Sequence, residues 1–433
     1  MAADNLTIYN RNLALVSENR SLDLQSGENK IDLVNVAASI IPQSVVLHSP
    51  QNFQILEQNF DYDLLDYPSL LKKYINREVE VLYEHGGSEK ATVLANNDGV
   101  ILKYANRIEH GLPAKARLSF PEIPANLRER PTLSVLLNSP EAQKAEVELS
   151  YLTQGFNWKA DYVANLSKED TLDLAGWVTL DNKSGKDFEA ARVQLVAGEV
   201  NRAPEEYQYG ARRARLAMAA APMADAALEV SEEALFEYHL YSLGRPATVL
   251  NNQTKQVALL DEAKIPLQRQ YDFTRNVSQQ DDKEKAQAQV YLKFENKNMA
   301  LPAGVVRVYQ QDSSGQKQFI GEDRIKHTAK NEDVRLKLGE AFDVRAEYEQ
   351  LDWKRLDYGV TRRETYELTN QITLFNAKDQ AITADVREIL SPEWEMREES
   401  SPHEKENSTT ARWKIEVPAQ GKAVLKYTVR VKF

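Results

Sequence analysis

Apolar residues fall on every second position through residues 145–204, in three successive segments. Ala145, Val147, Leu149 and Tyr151 oppose Glu146, Glu148 and Ser150; Leu172, Leu174, Val178 and Leu180 follow; Ala191, Val193, Leu195 and Ala197 then oppose Arg192 and Gln194. A period of two puts one face of a strand in a core and the other in water, so the pattern predicts half-buried β-strands with no competing helical period. The same rhythm starts the chain. Leu6 and Ile8, Leu22 and Leu24, and Ile31 and Leu33 mark short strands, with a turn over residues 25–28.

Between residues 77 and 124 the rhythm shortens. Val79, Val81 and Tyr83, then residues 91–94, 100–104 and 116–120, read as four strands joined by tight turns at Gly86-Gly87 and Asn97-Asp98-Gly99. They predict a small β-barrel inserted at residues 71–125, read first as a structural module. Near the carboxyl end the alternation returns. Val334, Leu336 and Leu338, then Ile372 and Leu374, then Ile382, Ala384 and Val386, then Trp413, Ile415 and Val417, and finally the run from Ala423 to Val431 stand at sandwich-like spacing.

The expected fold is all-β and multi-domain. Residues 1–70 with 130–204 form an N-terminal and central β-sandwich, 71–125 the inserted barrel, 237–345 a second β region, and 346–433 an immunoglobulin-like β-sandwich. One segment breaks the pattern. Residues 205–236 run from Tyr207, Tyr209, Arg212, Arg213 and Arg215 into an alanine-dominated stretch and then into Asp225, Glu229, Glu232 and Glu233. It reads as a mobile arm or a short helix around residues 224–236.

Composition narrows the class. Hydrophobic residues make up 42% and charged residues 27% of 433, which is ordinary for a folded globular protein. The formal charge of -11 argues against nonspecific binding of nucleic acid or anionic membrane, because both reward basic surfaces. With no cysteine, disulfides, thiolate catalysis and cysteine-based zinc sites are all excluded. No apolar run reaches the roughly 18–20 residues that span a bilayer as a helix. Met1-Ala2-Ala3-Asp4 carries neither a basic nor an apolar leader segment; the expectation is an exported chain whose signal peptide has been replaced by a start methionine.

The search for chemistry returns little. Nucleophile elbows, phosphate-binding glycine loops, dinucleotide-binding glycine runs and paired-histidine zinc helices are missing from the sequence. His48, His85, His110, His239, His327 and His403 stand singly. His239 lies in Glu237-Tyr238-His239-Leu240-Tyr241, where alternation places Glu237, His239 and Tyr241 on one polar strand face. Residues 154–162 gather Phe156, Trp158 and Tyr162 with amides, an arrangement that reads as a corner packed on the core before it reads as a binding platform. Arg212, Arg213 and Arg215 are the candidate partner-binding residues, a local positive patch on an acidic molecule. No catalytic residue, metal ligand or cofactor is expected.

Three stretches carry a resemblance. Residues 152–162 (Leu-Thr-Gln-Gly-Phe-Asn-Trp-Lys-Ala-Asp-Tyr), 174–182 and 193–201, continued through 301–309, 319–323 and 339–344, resemble the bacterial domain-of-unknown-function family catalogued as four-one-three-nine, found in mucoidy-inhibitor-like proteins. The likeness covers most of residues 145–433. It implies a β-rich protein commonly exported to the bacterial envelope, with no assigned reaction and no site residues. Residues and resemblance together lead to a non-enzymatic protein of the periplasm or cell surface that binds a protein or glycan partner. The competing class is a hydrolase of an envelope polymer, with carboxylates or histidines converging from different strands.

Overall fold

The computed structural model describes residues 4–61, 63–97, 99–124, 127–167, 169–198, 200–201, 230–235, 238–356 and 364–432. The protein is all-β, as its alternation predicts, with one short helix, Tyr67–Lys73, and one 3₁₀ turn, Pro42–Ser44, among the described residues. The chain divides into two compact units, the first made of residues 1–158, 180–211 and 233–255, the second of residues 159–179, 212–232 and 256–433.

In the first unit, strand Asn5–Tyr9 pairs antiparallel with Leu13–Leu24, which pairs in turn with Gln143–Thr153. The inward positions of the alternating segments form the core: Leu6, Ile8, Leu149, Tyr151, Leu195 and Val193 are all buried. The aromatic segment at residues 154–162 packs inward as well. Trp158 donates its indole N–H to Val196 O at 3.2 Å and stands edge-on to Tyr241. Because Tyr241 is itself 1% exposed, the strand around His239 does not present the polar face that alternation suggested; contact with Trp158 turns Tyr241 into core.

The inserted module differs from the expected barrel. Its five strands form an open sheet in which Arg117–Ser119 pairs with Glu78–Leu82 at one end and Ile108–His110 pairs with Ile101–Lys103 at the other. Helix Tyr67–Lys73, whose Asp66 side chain accepts from Ser69 N at 2.7 Å as an N-cap, contributes Leu71 to a core with Val79, Val81, Val93 and Leu102. Residues 230–235 are a strand, Val230–Leu235, in place of the expected helix, since the sequence after the alanines pairs next to Tyr238–Leu243. The rest of the expected arm, with Arg212, Arg213 and Arg215, lies outside the described residues.

The second unit contains a sheet of thirteen strands. Two of them are long, Gln253–Asn276 and Asp333–Arg355. The carboxyl-terminal sandwich therefore begins inside these strands: its core holds Tyr271, Phe273, Ala288 and Val344 together with Leu368, Ile372, Trp413 and Tyr427.

One local device recurs three times. Asn182, Asn296 and Asn376 each follow a run of alternating strand residues and are each buried, at 0%, 4% and 2% exposure. Each amide donates to a carbonyl a few residues ahead and to another from a distant segment: Asn182 to Lys186 O and Val249 O, Asn296 to Met299 O and Ala329 O, Asn376 to Gln380 O, Val417 O and Pro418 O. A buried carbonyl left without a donor costs about 1–3 kcal/mol, so one asparagine ties down a turn that backbone pairing cannot reach. After every such turn the chain enters a strand that pairs parallel to an earlier one: Phe188–Ala197 with Asn5–Tyr9, Gly304–Gln311 with Phe156–Leu166, and Ile382–Ile389 with Gln253–Asn276. In the second unit, Arg307 reaches Asp161 at 3.1 Å and Arg387 reaches Asp272 at 2.7 Å across those pairings.

Candidate functional site

Ionisable side chains meet in several places among the described residues, and three of them, two internal and one open, bear on function. In the first unit Glu18 and Lys186, both 3% exposed, meet at 2.9 Å. Tyr151 donates its hydroxyl to the same carboxylate at 3.0 Å, Arg20 reaches the other oxygen at 2.6 Å, and Lys186 lies 3.6 Å from Asp4. Burial and the adjacent Glu18 charge push the Tyr151 phenol well above its ordinary range. In the second unit Glu388, fully buried, receives Arg275 at 2.7 Å and the Tyr427 hydroxyl at 2.7 Å. Burial raises the Glu388 carboxyl despite the guanidinium beside it, and raises the Tyr427 phenol likewise. Buried charges that satisfy one another in this way hold strands in register; they offer a ligand no surface.

The third concentration is open. A cleft of about 550 Å³ in the second unit is lined by Asp170, Arg269, Tyr271, Gln310, Asp343, residues 377–380, Ile382 and Gln420. Its floor is the third asparagine turn. Asn376 donates to Gln380 O at 2.8 Å and accepts from Lys378 N at 3.0 Å, while Gln420 N donates to Lys378 O at 2.9 Å and Ala377 N to Asp343 O at 2.8 Å. The backbone of residues 377–380 is thus fixed from below before any ligand arrives, which removes part of the ordering cost of binding.

Above this floor the side chains form polar pairs. Gln420 donates its amide to Asp379 at 2.9 Å. Lys378 lies 4.0 Å from Asp343 and 5.8 Å from the centre of the Tyr271 ring. On the opposite wall Arg269 meets Asp170 at 2.9 Å; Asp170 sits at the hairpin after Phe156–Leu166, in a left-handed conformation, and its carbonyl accepts from Leu267 N. Three carboxylates, two cations and three primary amides therefore share one concavity of a size that accommodates small-molecule ligands. At the residue before Asp343, Phe342 is 88% exposed. Phe319, packed edge-on to Tyr309 beside Gln310, is 56% exposed.

None of these cleft residues was a candidate from sequence, because Asp170, Arg269, Gln310, Asp343 and Gln420 lie far apart in the chain. The readable signal was the asparagine at each strand end with an arginine ten or eleven residues on, Arg192, Arg307 and Arg387. Among the described residues no three His, Asp or Glu side chains are grouped to hold a metal ion, and no helix is long and apolar enough to cross a membrane.

The family model described as a domain of unknown function (DUF4139) matches residues 147–433. That span contains all three asparagine turns and the whole cleft. No curated protein is similar enough to this chain to be set beside it. The chain belongs to the DUF4139 family, in agreement with the motifs at residues 152–162 and 174–182.

Proposed function

We propose that this member of the DUF4139 family is a non-enzymatic protein of the bacterial cell envelope that works by binding a partner, a protein or a glycan, through the cleft on its third asparagine turn. One observation carries the reading: a cluster of ionisable side chains that opens to solvent stands on a backbone anchored by a buried amide, at Asn376. Preorganised polar groups on a rigid scaffold are what a binding site requires.

Site-specific photo-cross-linking tests it. With the chain expressed from its own genomic reading frame, a cross-linker at Lys378 is expected to label an envelope component, while one at the exposed Lys354 is not. Recovery of the protein only from cytosol, or equal labelling from both positions, contradicts the proposal.

A second reading has its own observation. Asp170, Asp343 and Asp379 share the cleft, and facing carboxylates are the machinery of polymer hydrolysis. Release of shortened products from an envelope polymer would favour that class.

A further inference from the structure

We infer that a second copy of this chain pairs with it edge to edge, antiparallel, through residues 351–355 of the strand Asp333–Arg355.

The backbone there is open on one side. Strand Glu284–Glu295 accompanies Asp333–Arg355 only as far as Glu284 opposite Tyr348, whereas Thr365–Asn376, on the other side, follows it to Arg355 opposite Tyr366. Residues 349–355 therefore have a single strand neighbour among the described residues. Antiparallel pairing spends the backbone groups of alternate residues on each side. Leu356 N donates to Thr365 O at 2.8 Å, so Asp352 and Lys354 also bond toward Thr365–Asn376, and Trp353 and Arg355 turn their N–H and C=O to the open edge. Groups spaced in this way are matched by another extended backbone.

The side chains do not defend the edge. Leu351, Trp353 and Leu356, three large apolar residues within six positions, are 44%, 45% and 43% exposed. A sheet edge that stays single is blunted by proline, lysine or a bulge. Here the bulge lies between Gln350 and Asp352 and leaves residues 352–355 in regular register, and Lys354 is neutralised by Asp352 at 3.1 Å. Trp353 stands opposite the buried Leu368 and beside the Tyr366 ring, on the face that forms the sandwich core. A strand added at this edge extends that core.

Charge selects the occupant and its register. The pleat sends successive side chains to opposite faces, so two copies of one strand pair antiparallel only in registers that set some residue against itself. With Asp352, Lys354 or Arg355 at the centre, like charges meet, which is destabilising for directly opposed residues. Centring on Leu351 would bring Lys354 of the second copy onto Tyr348, where Glu284 already pairs. Centring on Trp353 does neither. It places each Asp352 opposite Lys354 of the other copy, sets the two Trp353 side chains together, and lays Leu351 beside the alkyl stem of Arg355. The segment is thus complementary to itself, as a two-fold interface requires.

Sedimentation of the full chain from low micromolar to submillimolar concentration is expected to show a reversible monomer–dimer equilibrium. Lys354→Asp acts twice by symmetry and is expected to weaken the dimer about tenfold or more. Adding Asp352→Lys to it is expected to restore the wild-type affinity, and Trp353→Lys to abolish pairing. Hydrogen exchange gives an independent reading: on dimerisation the amides of Trp353 and Arg355 gain protection, while those of Asp352 and Lys354 are protected at every concentration. A monomer throughout, or a dimer that ignores these substitutions and leaves the Trp353 and Arg355 amides unprotected, overturns the inference. A cross-linker at Lys354 then captures only a second copy of the chain, so the comparison with Lys378 is read on products other than that dimer, and either proposal can fail without the other.

Discussion

The turns at Asn182 and Asn376 are the same device put to opposite uses. Both amides clamp a carbonyl four residues ahead, at Lys186 and Gln380, and both accept from the backbone two residues ahead, at Ser184 and Lys378. What differs is the cover. Over the Asn182 turn lies the chain's own segment around Ala38, with Ser39 N donating to Ser184 O at 3.1 Å and Gly185 placed so that an added Cβ would stand 2.4 Å from the Ala38 methyl. Lys186 is thereby directed into the core, onto Glu18. Over the Asn376 turn the equivalent carbonyl is taken by Gln420 of the same sandwich, and Lys378 and Asp379 face a cleft. Charge turned inward on a fixed turn specifies structure; charge turned outward on the same turn is available to a partner.

The largest effect that sharpens this contrast is loss of the buried carboxylate. Glu18→Leu strands Lys186 without its close counter-ion and leaves the Tyr151 hydroxyl without its acceptor. It is expected to cost about 3–5 kcal/mol, read as a drop in the urea midpoint. The asparagines come next. Asn182→Ala should cost about 2–3 kcal/mol, because two buried hydrogen bonds to carbonyls are lost, and Asn376→Ala about 1–2 kcal/mol, because its acceptors Gln380 O and Pro418 O are only part-buried. Only Asn376→Ala should also abolish cross-linking at Lys378, since only that turn supports the cleft. Equal functional effects from both would break the comparison.

The buried phenols set the alkaline limit. Tyr151, Tyr348 and Tyr427 all have folded-state proton affinities raised by burial above the ordinary tyrosine value of 10.0. The unfolded chain releases these protons near that pH while the native state keeps them, so stability falls as pH climbs past about 10. Each such tyrosine steepens the fall by about 1.4 kcal/mol per pH unit. Denaturant melts between pH 9 and 11, with Tyr427→Phe expected to flatten the slope, check the sign; stability rising over that range would refute it. Glu388, also raised by burial, acts in the same direction at lower pH: its contribution is fullest below the unfolded carboxylate value of 4.5 and is lost as pH rises through its folded value. The smallest effect is expected at the cleft, where Lys378→Met should change stability by less than about 0.5 kcal/mol.

The strands were legible because half-burial writes itself as alternation. Ala145 to Tyr151 and Val193 to Ala197 needed nothing beyond period two, and the β-strands of the carboxyl end followed from the alternation around Ile372, Ala384, Trp413 and Leu425. Boundaries were not. Gln253–Asn276 and Asp333–Arg355 each serve two neighbouring parts of the second unit, and a continuous strand leaves no linker to read. The closed barrel failed because closure depends on pairing between end strands, which strand count does not report. The cleft was invisible for a physical reason as well: Asp170, Arg269, Gln310, Asp343 and Gln420 come together only through strand order, and each alone is an ordinary surface residue. The asparagine turns could have been found by comparing the chain with itself.

Paired urea titrations of Lys186→Met and Lys378→Met test the central claim most directly, since the two lysines sit on matching turns. The account predicts a loss of about 3 kcal/mol or more for Lys186→Met and a change within about 0.5 kcal/mol for Lys378→Met. Equal losses, or the larger one at Lys378, would contradict it.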